Sequence, residues 1–410
     1  MDENVKMSNR SGYQKQALAH LRYLCGLKPN RRTGSAGNRE AASYIAAHFQ
    51  DLGYEVNQTP FETLDYQSAG AFLSGLAENV GIHTSPYSPG CDLTAELIGA
   101  SSLEELEAAD AAGKVLLLQG EICAEQLMPK NFVFYNPDHH QRIIAVLEDK
   151  RPAALITATS DSPGAAGALS PFPLIVDGDF EIPSAYCTET AGRQIAESLG
   201  REVRLEIRSQ RQPALASNVI ASRPRKFDRK IALMAHFDTY EDTPGAVDNA
   251  SGVIILLLAA ELLAREQPAL SLEIIAFNGE DHYSAGGQMD YLQRYGQELS
   301  AIELAVNVDG TAYRGGKTAY SFYGCSAEKE AALRRVFQKY HQLVEGEAWY
   351  SGDHMIFVQN QVPCLALTSS RMPELLTTVI HTEQDLPELV SPEQLLEAAS
   401  ALADLVRTLS

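Results

Sequence analysis

Between Val253 and Leu263 the only polar residue is Glu261. A helix that is apolar all round must be buried all round. The run is also far shorter than the ~20 residues that cross a bilayer. Residues 250–265 are therefore predicted to form a helix inside the core. Around it the texture is regular. Lys230 to Ala235, Ser271 to Phe277 and Leu304 to Val308 read as buried strands, and Gly286 to Tyr295, 326–342 and 392–408 as helices. Strands alternating with helices predict an α/β fold: a mostly parallel mixed sheet with helices on both faces.

A chain of 410 residues exceeds one ordinary core. Residues 12–26 and 36–52 read as amphipathic helices, the second ended by Gly53. Tyr54-Glu55-Val56 then opens a strand running towards Phe61. From about Asp65 the pattern changes to Gly-, Ser- and Pro-rich sequence and isolated strands such as Val115 to Leu118 and Ala154 to Ala158. The division predicted is a discontinuous catalytic domain of residues 1–65 and 215–410, interrupted by a β-rich insertion at 66–214.

The formal net charge of −20 argues against nucleic acid and anionic membrane as partners. The six cysteines are scattered and form no CxxC pair, which disfavours a disulfide framework or thiolate zinc site. Met1-Asp2-Glu3-Asn4 does not open a signal peptide. These features together predict a cytoplasmic protein with reduced thiols. Oligomeric state is not readable.

The chemistry concentrates in a few short motifs. His236-Phe237-Asp238 follows the first apolar strand, and Asp248 precedes Asn249-Ala250-Ser251-Gly252 and the buried helix. Glu280-Asp281 and Asp309 follow the next two strands, and His381 lies near the end of the chain. His236, Glu280 and Asp309 fall at carboxyl ends of predicted strands, where ligands gather in parallel sheets. Imidazole and carboxylate are the donors that a pair of zinc ions takes, so the set reads as a two-metal hydrolase site. Each motif also has a bland explanation. Asp248 could cap the helix, Glu280-Asp281 could be a solvated loop, and His381 a satisfied turn histidine.

In this order the motifs resemble the co-catalytic zinc aminopeptidases related to bacterial leucine aminopeptidases and glutamate carboxypeptidase. Asp353-His354, Phe357 and Val362-Pro363 resemble a further segment of that family. The resemblance implies a zinc-exopeptidase-like three-layer sandwich, and an insertion similar to a protease-associated domain. It implies two divalent metal ions, zinc first among the candidates, and a peptide substrate. His236 and Asp309 would hold one ion, Asp281 and His381 the other, and Asp248 would bridge them, with a cis peptide at Asp248-Asn249. Glu280 would be the general base and Asp238 the partner that orients His236. Three ligand carboxylates leave one positive charge on such a pair, which suits a bridging hydroxide. Tyr350 is a candidate for binding substrate through its hydroxyl.

The chain departs from the family at Asp281, where Glu is usual, and at Gly352, where Ser is usual. His282 could be a further ligand or a loop residue. Two other activities share the fold: a glutaminyl-cyclase-like acyltransferase with one zinc, and a non-catalytic binding protein that has lost its ligands.

Overall fold

The computed structural model describes residues 3–159, 170–223, 229–266 and 270–409, with side chains from residue 10. The chain divides into two compact units, Met1–Thr63 with Leu215–Ser410, and Leu64–Ala214.

In the first unit four strands lie side by side and parallel, in the order Cys364–Ser369, Ile302–Val308, Lys230–His236, Ser271–Phe277. Residues Val219 to Arg223 run antiparallel beside Ser271–Phe277. On the other side Thr318–Tyr323 pairs antiparallel with Cys364–Ser369 and carries the short strand Leu343–Glu345 at its far edge. The sheet is thus parallel at its centre and mixed at its margins.

Period-two alternation sends side chains to two faces. Ile231, Leu233 and Ala235 pack in one cluster with Leu304, Val306, Leu365 and Leu367. Residues of Glu3–Gly26, Ala36–Asp51, Ser251–Leu263 and Pro392–Leu409 cover that face. On the opposite face the Phe277 ring meets Tyr291 of Gly286–Tyr295, and Tyr291 meets Phe357 of Met355–Gln359. The result is helix, sheet, helix in three layers.

Eleven of the residues in Ser251–Leu263 are buried, as its composition demands. The 18-residue stretch Ala246–Leu263 is long and apolar enough to cross a membrane, but 89 % of it is enclosed by the protein's own core. Ser35 starts the Ala36–Asp51 helix by accepting the Asn38 amide at 3.1 Å. Gly53 ends it with φ +81°, the left-handed turn that favours glycine. The helix expected over 326–342 stops at Phe337, because the chain turns there into the edge strand Leu343–Glu345.

The second unit has its own sheet. Cys91–Ala100, Val115–Leu118, Ala154–Thr159 and Ser184–Thr188 are parallel neighbours, with His83–Thr84 antiparallel at one side and residues 202–207 antiparallel to 91–96 at the other. The unit is strand-rich but also carries helices Leu103–Ala108, Asp138–Lys150 and Glu189–Ala196. Asp138–Lys150 connects two parallel strands, as such crossovers require.

Candidate metal centre

The carboxyl ends of the central parallel strands supply the site. His236 is the last residue of its strand, and Asp309 follows Val308 directly. His236 Nε2 lies 3.1 Å from Asp248 Oδ1 and 3.4 Å from Asp309 Oδ1. His381 Nε2 lies 3.2 Å from Asp248 Oδ2 and 3.0 Å from Asp281 Oδ1. Asp248 thus turns one oxygen to each imidazole. His236, Asp248 and Asp309 form one group whose donor atoms fall within 4.8 Å of one another, and Asp248, Asp281 and His381 form a second. Glu280 forms a third such group with His236 and Asp281.

Backbone contacts fix this arrangement. Asp238 is buried and accepts the Glu280 amide at 3.2 Å, the Asp281 amide at 3.0 Å and the Thr33 hydroxyl at 3.1 Å. It therefore draws in the loop that carries both acidic residues. Its contact with His236 Nδ1 is longer, 3.6 Å. Asn249, which follows a cis Asp248–Asn249 peptide, donates to Val308 O at 2.8 Å and accepts the Gly252 amide at 3.0 Å. One side chain thus ties the start of the buried helix to the strand end that presents Asp309. Tyr240 stacks on the His381 ring, with centroids 4.0 Å apart and planes 24° apart.

Two buried side chains brace the loop between His236 and Asp248. Arg31 donates to Leu24 O, Phe237 O, Pro244 O and Gly245 O at 2.7–3.0 Å. Asp385 accepts the Val247 amide at 2.7 Å and the Asp248 amide at 2.9 Å. Neither was legible in the sequence, because their partners are main-chain atoms distant along the chain.

Charge in this cluster is unbalanced. Burial pushes Asp281 up to about 6, with Asp248 adding to the rise. Burial, followed by Asp281, Asp309 and Asp353, lifts Glu280 well above its ordinary value against the pull of His236. Burial opposes charge on His236 and His381, yet the surrounding carboxylates outweigh it and raise both imidazoles well above 6.5. Those imidazolium neighbours hold Asp248 low despite its burial.

The donors fit metal cations. Asp281 Oδ2 is buried and has no hydrogen-bond partner, a state that a buried carboxylate does not normally tolerate. Two three-residue groups of imidazole and carboxylate, sharing Asp248, suit a pair of zinc ions.

Other sequence candidates fall elsewhere. Tyr350, the candidate for binding substrate, is 71 % exposed, its ring edge-on to Tyr323 at 5.9 Å. His282 is buried and engaged, by Thr63 Oγ1 at 3.2 Å and Ser284 Oγ at 2.8 Å, so it serves the loop. Gly352 has φ +107°, and a Cβ there would lie 3.2 Å from Asp309 Oδ2. The glycine that replaces the usual serine therefore lets the loop close on Asp309. In the second unit Glu125 contacts His139 and His140 at 2.8 and 3.0 Å. There His140 Nδ1 accepts the Met128 amide, so its Nε2 carries the proton and offers no lone pair to a cation.

A three-layer α/β sandwich with imidazole and carboxylate donors gathered at its strand ends fits a metal-dependent hydrolase. Residues 218–406 match the model of peptidase family M28. Over these residues the chain is similar to that family, and the likeness supports a metal-dependent aminopeptidase. A probable leucine aminopeptidase 2 from Aspergillus oryzae is 23 % identical over 359 residues, covering 82 % of this chain and 68 % of the relative. The structure is similar to that of a zinc aminopeptidase from Bacillus subtilis, with a TM-score of 0.73, 20 % identity and 95 % of each chain covered. A glutaminyl cyclase from Porphyromonas gingivalis is more distant: TM-score 0.52, 13 % identity, 97 % of this chain and 98 % of that one.

Proposed function

We propose that the protein removes N-terminal residues from peptides at a centre of two divalent ions, most simply zinc. The observation that carries this is the posture of Asp248, with one oxygen 3.1 Å from His236 Nε2 and the other 3.2 Å from His381 Nε2. His236 and Asp309 would hold one ion, Asp281 and His381 the other, and Asp248 both. When bound, such a pair polarises the scissile carbonyl and makes water more acidic.

Glu280 is the general base in this scheme. Its carboxylate takes a proton from the attacking water and returns it to the departing amine nitrogen. Burial and neighbouring carboxylates make it more basic than an ordinary carboxylate, which suits a group that accepts a proton from water. Asp238 keeps Glu280 and Asp281 in register through their amides.

The glutaminyl-cyclase-like alternative rests on the more distant structural likeness, and a complete double set of ligands favours two ions over one. Leu64–Ala214 is assigned as a protease-associated-like insertion on its place in the chain and its strands. Free cysteines at Cys25, Cys91, Cys123, Cys187, Cys325 and Cys364 are in keeping with a cytoplasmic setting.

The test is a zinc titration of metal-free protein alongside turnover of aminoacyl p-nitroanilides. Two equivalents bound, with hydrolysis appearing as they bind, supports the proposal. A single tightly held equivalent with cyclisation of N-terminal glutamine and no hydrolysis would replace it with the cyclase.

A further inference from the structure

Asp385 stands outside the ligand set, yet it is fully buried and its carboxylate is spent on one short stretch of main chain. Oδ1 accepts the Val247 amide at 2.7 Å and Oδ2 the Asp248 amide at 2.9 Å. Its own carbonyl accepts the Ala246 amide at 3.2 Å. Three consecutive amides leading into Asp248 are therefore held by one residue. Arg31 holds the carbonyls on the same loop, at Pro244 and Gly245. The loop is gripped on its donors by a carboxyl group and on its acceptors by a guanidinium.

Asp385 also belongs to the segment that carries His381. The helix Met372–Thr378 ends there, His381 takes φ +64°, and the Asp385 amide bonds back to Thr382 O at 3.2 Å. The spacing between His381 and the main chain of Asp248 is thus set by a few residues of folded chain. We propose that Asp385 is a positioning residue that presets the Asp248 carboxylate to face both imidazoles before any cation arrives. This rests on the two-ion reading of the site. Without Asp385, two buried amides lose their acceptors and the Asp248 backbone is free to turn.

Asp385→Asn is the direct test, because one acceptor oxygen becomes an NH2 group facing an amide N–H. Zinc affinity of the metal-free full-length protein is measured by chelator competition, and kcat and KM on an aminoacyl p-nitroanilide. The expected result is a folded variant whose zinc affinity is about 10- to 100-fold weaker. Its kcat should fall while KM changes by less than about twofold, since the substrate pocket is untouched. Asp385→Glu, which keeps both acceptors, should recover part of the affinity. Wild-type zinc affinity and kcat in Asp385→Asn overturn the proposal and leave the peptidase reading intact. A wild-type protein that binds zinc but cleaves no peptide sinks the peptidase reading, and the affinity comparison still decides on Asp385. Should Asp385→Asn not fold, amide exchange in the wild type decides. Val247 and Asp248 should be equally protected with and without zinc, and rapid exchange in the zinc-free protein rules presetting out.

Discussion

Tyr240 lies flat against His381, covering one face of the imidazole at a centroid distance of 4.0 Å. His381 is only partly enclosed, with its side chain 22 % exposed. The stack therefore limits rotation of a ring whose Nε2 must point at Asp248 and Asp281. Tyr240→Ala is expected to lower zinc affinity and turnover by roughly 10-fold, the lower end of the range for such orienting contacts. Tyr240→Phe, which keeps the ring, should stay within about twofold of wild type. Parallel zinc-binding and kinetic measurements on the two variants check this.

Glu280→Gln removes the base while keeping size and a similar hydrogen-bonding outline. Both metal equivalents should remain by elemental analysis, and kcat should fall by about 10²–10⁴-fold. Full activity in this variant would refute the assignment of the base.

Removing the ions exposes the unbalanced charge of the cluster. Chelation should abolish turnover, and added zinc should restore it. Free zinc at about 1,000 times its dissociation constant should stabilise the fold by roughly 4 kcal/mol. Denaturant unfolding with and without chelator measures the difference.

Gly252 sits where the buried helix starts. A Cβ there would press into Val308 O and the Asn249 side-chain oxygen. Val308 O accepts the Asn249 side-chain NH2 and the Asn249 oxygen accepts the Gly252 amide, so both atoms belong to the tie between Asp248's neighbour and the Asp309 strand. Gly252→Ala should cost about 1–3 kcal/mol, as overpacking does, and should depress activity further than stability alone explains. Thermal unfolding and specific activity together test it.

His20 gives the fold an acid limit. Burial, then the neighbouring His48, lowers its pKa to about 4 from 6.5. Above pH 6.5 neither the folded nor the unfolded state carries this proton, and stability is at its full value. As pH falls from 6.5 towards 4 only the unfolded state takes it up, so stability drops by up to about 3 kcal/mol. At fixed metal content, unfolding free energy plotted against pH should be flatter for His20→Gln than for wild type.

His236, Asp248 and Asp309 were legible as candidates because each is a distinctive side chain at a strand end or before a helix start. Hydrophobic periodicity located those ends with little ambiguity. The buried helix was equally plain. The bracing residues were not. Arg31 sits in Asn30-Arg31-Arg32, which looks like a surface basic pair, and its partners are carbonyls on a loop it meets only after folding. Asp385 looks like one more acid in an acidic chain. Asp281 is shorter than the usual Glu by one methylene, and Asp238 fixes its loop by accepting the Glu280 and Asp281 amides.

The converging side chains are far apart along the chain: His236 and Asp309 at the ends of neighbouring strands, Asp248 before the buried helix and His381 after the helix Met372–Thr378. No partly synthesised or partly folded segment can gather them. The site is therefore complete only once the segment that carries His381 has docked.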